Sequence, residues 1–178
     1  MFKYMQNHSA VFFVISIFLI LSSCATGIPG ESLTQLDSLR KLNPVPELTP
    51  GEVVGIQLAA LKANNPEDQG IAVAYRFSSL RNKELTGSFE NYTLILKQDN
   101  FAPMLVNNGV DLGPQEIKGN TAVVAVRVRL IEGDTTGYIF LLTRQDRGDY
   151  RGSWLTDGVM QIGSREAPMI QAPETIDA

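Results

Sequence analysis

The chain has one cysteine, Cys24, and one histidine, His8, in 178 residues. A single cysteine excludes an internal disulfide. A single histidine, lying seven residues from the start, leaves the rest of the chain without an imidazole base. That removes Ser-His and Cys-His pairs and His/Cys zinc sites from everything beyond it. Any chemistry there would run on carboxylates, Lys, Arg or Tyr. Positive charge is also in short supply: 15 Lys and Arg stand against 19 Asp and Glu, a formal net charge of -4. Such a balance argues against nucleic acid and against a polybasic grip on anionic lipid. The longest apolar run, Ala10 to Leu21, is 12 residues, whereas a spanning helix needs roughly 20.

What is present at the N-terminus is a pattern. Lys3 precedes the apolar run, and Leu21-Ser22-Ser23-Cys24 follows it. A cationic start, a short apolar core and small residues at a break point describe a secretory signal over residues 1–23. The last four residues resemble the bacterial lipoprotein signal, in which the cysteine is acylated and becomes the new N-terminus. By that resemblance Cys24 carries three acyl chains, and two or more hold a protein stably on a bilayer. Cys24 is then no free thiol nucleophile, and His8 leaves with the leader. Ala25, and not Asp, follows the cysteine. In enterobacterial sorting this implies the outer membrane, with the domain facing the periplasm.

Residues 24–48 read as a lipidated tether. Gly27, Pro29 and Gly30 open it, and Pro44 and Pro46 close it. Between them Leu33, Leu36, Leu39 and Leu42 recur every three residues. One reading is a short amphipathic helix against membrane or partner. The preferred one is a weakly helical, mostly solvated spacer that holds a domain clear of the headgroups.

Residues 49–162 read as one α+β domain. Thr49 can cap a helix with Pro50 at its first position and Glu52 as the capping-box carboxylate. Val53, Ile56, Ala60 and Leu61 give it an apolar stripe. A second helix is expected from Pro66, capped by Asn65, with Ile71, Ala74, Tyr75 and Phe77 inward. Residues 79–83 read as a polar loop. Thr86 or Ser88 starts a third helix through about Gln98. Residues 101–106 allow one further helical turn. The period then changes to two. Strands are expected over 110–118, over 121–130 with Val124, Val126, Val128 and Leu130 buried, over 138–143, and over 150–162 with Trp154 in the middle. Gly119-Asn120 is a two-residue turn signal, and Asp157-Gly158 is expected to form a bulge. The expected architecture is three N-terminal helices packed on one face of a curved four-stranded antiparallel sheet. Residues 163–178 read as a loose C-terminal tail.

Four stretches resemble a known family. They are Thr49 to Leu58 (TPGEVVGIQL), Gly70 to Ser79 (GIAVAYRFSS), Phe101 to Leu105 (FAPML) and Gly152 to Val159 (GSWLTDGV). Together they resemble domain of unknown function 4864, which is similar to the nuclear-transport-factor-two-like fold. That resemblance implies helices closing a cone over a bent sheet and leaving a pocket. It implies no established activity. Some members of the broader fold are isomerases or dehydratases with an Asp or His in the pocket.

The candidate ligand-binding residues are Tyr75, Arg76, Tyr92, Tyr138 and Trp154. The aromatic ones join an apolar body to a polar tip and suit a small apolar or amphipathic ligand; they suit a core equally well, with the tips on backbone partners. Arg76 can neutralise an anionic ligand or form a structural pair. Asp157 is the best single carboxylate for a general base, though Asp-Gly is also bulge chemistry. Neither a metal site nor a cofactor motif is found. Arg147-Gly148-Asp149 reads as a turn. The functional expectation is a non-enzymatic lipoprotein that binds a small ligand. Alternatives are an envelope assembly factor, with a possible homodimer through the sheet face, and a carboxylate-based isomerase or hydratase.

Overall fold

Helix α1, Pro29–Leu39, is the first described element of the structure, a computed structural model that describes residues 29–163. The expected secretory leader, Cys24 and residues 164–178 lie outside those described. Part of the stretch read as a weakly helical, solvated spacer is helix, and most of its residues from 34 to 48 are exposed. Leu36 is 2% exposed, and Leu39 packs against the core. The fastening comes from a distance. Arg76 Nη1 donates to Arg40 O at 2.8 Å and to Leu42 O at 2.7 Å. Those carbonyls lie just past the end of α1, where backbone acceptors need partners.

The capping box at Thr49 forms as the residue types require. Glu52 N donates to Thr49 Oγ1 at 3.3 Å, and Thr49 N donates to Glu52 Oε2 at 2.7 Å. Helix α2, Pro50–Lys62, buries Val53, Val54, Leu58, Ala60 and Leu61. Helix α3, Gln69–Arg76, starts three residues later than the Pro66 start expected. Asp68 adopts a left-handed conformation, φ 55°, which breaks the helix ahead of Gln69. Asn65 Oδ1 then accepts from Gln69 N, and Asn64 Oδ1 from Ile71 N.

Helix α4, Leu80–Thr86, occupies the expected polar loop. Ser79 caps it by accepting from Asn82 N. Its Leu80 and Leu85 face solvent, so no apolar stripe advertised it. Helix α5, Phe89–Leu96, is capped by Ser88, and α6 is the single turn Ala102–Leu105. Three expected helices thus become six among the described residues.

The strands are β1, Gly109–Lys118; β2, Thr121–Arg129; β3, Thr135–Arg144; and β4, Trp154–Ile162. They form one antiparallel sheet in the order β1-β2-β3-β4. Lys118 pairs with Thr121 across Gly119-Asn120, the expected two-residue turn. In β4, Leu141 pairs with Gly158 and Leu142 with Thr156, so Asp157 is the extra residue of a bulge. Trp154 opens β4 instead of sitting mid-strand, because residues 145–153 close a loop through Gln145 N to Ser153 O and Gly152 N to Gln145 O.

Register sorts the sheet into two faces. Ala122, Val124, Val126 and Val128 lie beside Leu142, Phe140, Tyr138 and Thr136, and all eight are buried. Helix α2 meets this face: Gly51 N donates to Gln115 Oε1 at 3.2 Å, and Gln115 is paired with Val124. A buried polar bridge joins α2, α3 and β4. Gln57 Nε2 donates to Ala74 O at 3.0 Å, and Thr156 Oγ1 donates to Gln57 Oε1 at 2.7 Å.

Candidate functional site

The five residues picked from sequence fall into separate surroundings. Tyr75 and Tyr92 come together, with ring centroids 5.1 Å apart, and Phe89 meets Tyr75 edge-on at 5.5 Å. Lys83 Nζ stands 5.0 Å from the centre of the Tyr75 ring, and burial pulls its ammonium below the ordinary lysine range. Tyr75 Oη donates weakly to Gly87 O at 3.4 Å. Burial pushes the Tyr92 phenol up to about 12, with the Ser78 hydroxyl acting the other way. Burial outweighs that bond and keeps the phenol neutral at any physiological pH.

Tyr138 sits elsewhere in the core. Its ring stacks on Phe101 with centroids 6.3 Å apart, and its hydroxyl donates to Asn100 O at 2.7 Å. Burial pushes this phenol up to about 12 as well. Trp154 is buried within the same hydrophobic core. Arg76 is committed to the two carbonyls beyond α1 and braces that helix. Asp157 accepts from the Thr143 hydroxyl. Thr143 pairs with Thr121, which places the contact on the sheet face opposite Tyr138 and Phe140. Among the described residues, no group of three or more His, Cys, Asp or Glu could hold a metal ion.

An opening lies where sequence reasoning did not look. Gln35 of α1, Gly55, Leu58, Ala59 and Lys62 of α2, and Val110 and Leu112 of β1 line a cleft of about 260 Å³. Gly55 makes room for it: a Cβ there would lie 3.7 Å from Leu112 Cδ1 and little else. Leu112 remains 47% exposed, and its apolar side chain forms one wall. The two polar groups, Gln35 and Lys62, are at the exposed surface. Lys62 belongs to no ion pair among the described residues. The sequence signal was the small pair Gly51 and Gly55 on one side of α2, which lets β1 approach. The third wall depends on α1, which was read as linker.

A second surface is the outer face of the sheet. Val123, Ala125, Ile139, Leu141, Met160 and Ile162 share it by register. Gly137 leaves a gap that Ile162 fills, since a Cβ there would meet Ile162 Cγ1 at 2.6 Å. Met160 is 51% exposed. At the β1 side the Arg129–Asp111 and Lys118–Glu116 pairs border this strip.

Among the described residues no helix is long and apolar enough to cross a membrane. Comparison of the chain with protein-family models, curated proteins and solved structures gives no match.

Proposed function

We propose that this chain is a lipid-anchored protein of the bacterial cell envelope whose domain binds a small apolar or amphipathic molecule and catalyses no reaction. The observation that carries the binding reading is the cleft between α1, α2 and β1, apolar within and polar at its edge. The address rests on Leu21-Ser22-Ser23-Cys24, with Cys24 as the acylated residue and Ala25 favouring the outer membrane. The nuclear-transport-factor-two-like cone belongs to the same proposal, supported by the six helices that precede a bulged four-strand meander.

Native mass spectrometry of protein purified from its own host tests the binding half. A co-purified small molecule, lost on denaturation, is the expected result. An empty protein that also ignores lipid and metabolite panels would count against it. For the anchor, Cys24→Ser should release the protein from membranes; firm attachment after normal processing would overturn lipidation.

The outer sheet face favours a second reading, an envelope assembly factor that pairs with itself or another protein. Half-exposed Val123, Ile139 and Leu141 beside Met160 form an apolar strip of the type that interfaces use. Sedimentation of the wild type against Met160→Lys separates the two: a dimer lost in the variant supports assembly.

A further inference from the structure

We infer that the cleft between α1, α2 and β1 takes a single-chain amphiphile with one terminal carboxylate, drawn from the bilayer that holds the protein. The inference rests on the proposed binding function and gives it a ligand class.

The volume sets the apolar part. At roughly 30 Å³ per water-sized group, a space of about 260 Å³ accommodates a chain segment of nearly nine such groups. Gly55, Leu58, Ala59, Val110 and Leu112 offer that segment hydrocarbon on both sides. Each methylene buried there raises affinity about fourfold.

The edge sets the headgroup. Lys62 lies one turn beyond Leu58 and Ala59, at the C-terminal end of α2. Among the described residues it has no carboxylate partner, and no acidic side chain among them lines the cleft. Gln35 adds an amide that can donate from the α1 side. One ammonium and one amide donor suit a carboxylate, which has two acceptor oxygens and a single charge. A cationic headgroup would be repelled, and a doubly charged phosphate would be left half neutralised.

The tether sets the source. Pro29 begins α1 only five residues beyond Cys24, a reach of at most roughly 17 Å. The wall that carries Gln35 therefore cannot stand far from an acylated Cys24. A bilayer within that reach is a reservoir of single-chain carboxylates.

The test uses full-length lipidated protein with three probes of equal chain length: dodecanoate, dodecanol and dodecyltrimethylammonium. Dodecanoate should bind at least tenfold more tightly than either of the others. Lys62→Met should erase that preference and leave dodecanol unchanged. Gly55→Leu should abolish binding of all three; its Cβ makes ordinary contact only, and an unchanged Tm is the check that the fold is kept. Equal affinity for the three probes would overturn the ligand class while leaving small-molecule binding standing. Binding that survives Gly55→Leu would place the site elsewhere and refute the inference. No binding of any probe, together with an empty native protein, would remove the binding reading too. Dodecanoate carried in vesicles should reach anchored protein faster than the Cys24→Ser form in solution; equal rates would exclude the bilayer as source.

Discussion

Gly70→Ala should destabilise the domain, although alanine is the better helix former. Gly70 is in the first turn of α3, and its neighbour is the backbone of α2. A Cβ at this position would stand 2.1 Å from Ala60 O, 2.8 Å from Asn64 Cα and 3.0 Å from Ala60 C. The first distance is far inside the 3.4 Å at which ordinary contact begins. No side chain can swing aside, because every one of these atoms is main chain. Helix α2 would have to back away, and Ala60 and Leu61 are buried in the core. Overpacking of this sort costs about 3 kcal/mol at its upper range, and the helix propensity gain returns about 1 kcal/mol. The net loss is thus about 2 kcal/mol, a fall in Tm of roughly 8 °C for a domain of this size. Gly55→Ala is the matched control. It is also a helical glycine, its Cβ would have only Leu112 Cδ1 nearby, at 3.7 Å, and it should gain up to about 1 kcal/mol. Urea unfolding followed through Trp154 fluorescence measures both. A Gly70→Ala protein as stable as wild type would refute the close α2–α3 approach.

Three further outcomes follow from named contacts. Thr156→Val leaves Gln57 Oε1 buried without its donor and should cost about 1–3 kcal/mol; the Gln57→Leu/Thr156→Val double variant should cost less than the sum of the singles, and simple additivity in a double-mutant cycle would refute the bridge. Asp68→Asn tests a pH effect: the hydrogen bond from Lys97 at 2.8 Å holds the Asp68 carboxyl below its ordinary 3.8. A depressed folded value stabilises above the unfolded value and is lost as acid titrates the folded form. Wild type should therefore lead the variant by up to about 1 kcal/mol at neutral pH, given how exposed Lys97 is, and the lead should begin to shrink near pH 3.8 and vanish once acid protonates the folded carboxyl. A lead that persists in acid would assign it to something other than charge. Arg76→Met should free α1, so that limited proteolysis cuts between residues 39 and 48 faster while the domain's Tm changes little; unchanged cleavage would show that Leu36 alone holds the helix.

Local chemistry made much of the fold legible. Thr49, Pro50 and Glu52 set one helix start, Ser88 another, Gly119-Asn120 the tight turn, and Asp157-Gly158 the bulge. Each of these works through neighbours a few residues away. What escaped was fixed by distant partners. Helix α1 depends on Arg76, and nothing in its three-residue leucine spacing records an arginine more than 30 positions later. Helix α4 exposes Leu80 and Leu85 and buries Asn82, the reverse of the pattern that marks an amphipathic helix. The start of α3 was misplaced because a proline and two acids at 66–68 look like a first turn, whereas the left-handed Asp68 ends a loop that Asn64 and Asn65 hold. The cleft was hidden for the same reason as α1, since it needs that helix as a wall.

The fate of the buried polar groups favours a site built on shape over one built on reactivity. A reaction centre requires such groups to converge on one open point. Here buried Gln57 and Thr156, like half-buried Asn64 and Arg76, each join one element to another, and their hydrogen bonds close within the fold. Buried Asn82 Oδ1, Thr93 Oγ1, Asn107 Oδ1 and Ser153 Oγ lack partners, and none of these residues lines the cleft. The cleft's polar groups, Gln35 and Lys62, are exposed and mobile by chemistry: a long amide and a longer ammonium arm can follow a headgroup but cannot hold a proton-transfer geometry. On the proposed binding function, such an edge would select a ligand by charge, and the α2–β1 pair would select it by width. Specificity would then change with substitutions at Gly55 and Leu112 more than with any change to the tyrosines of the core.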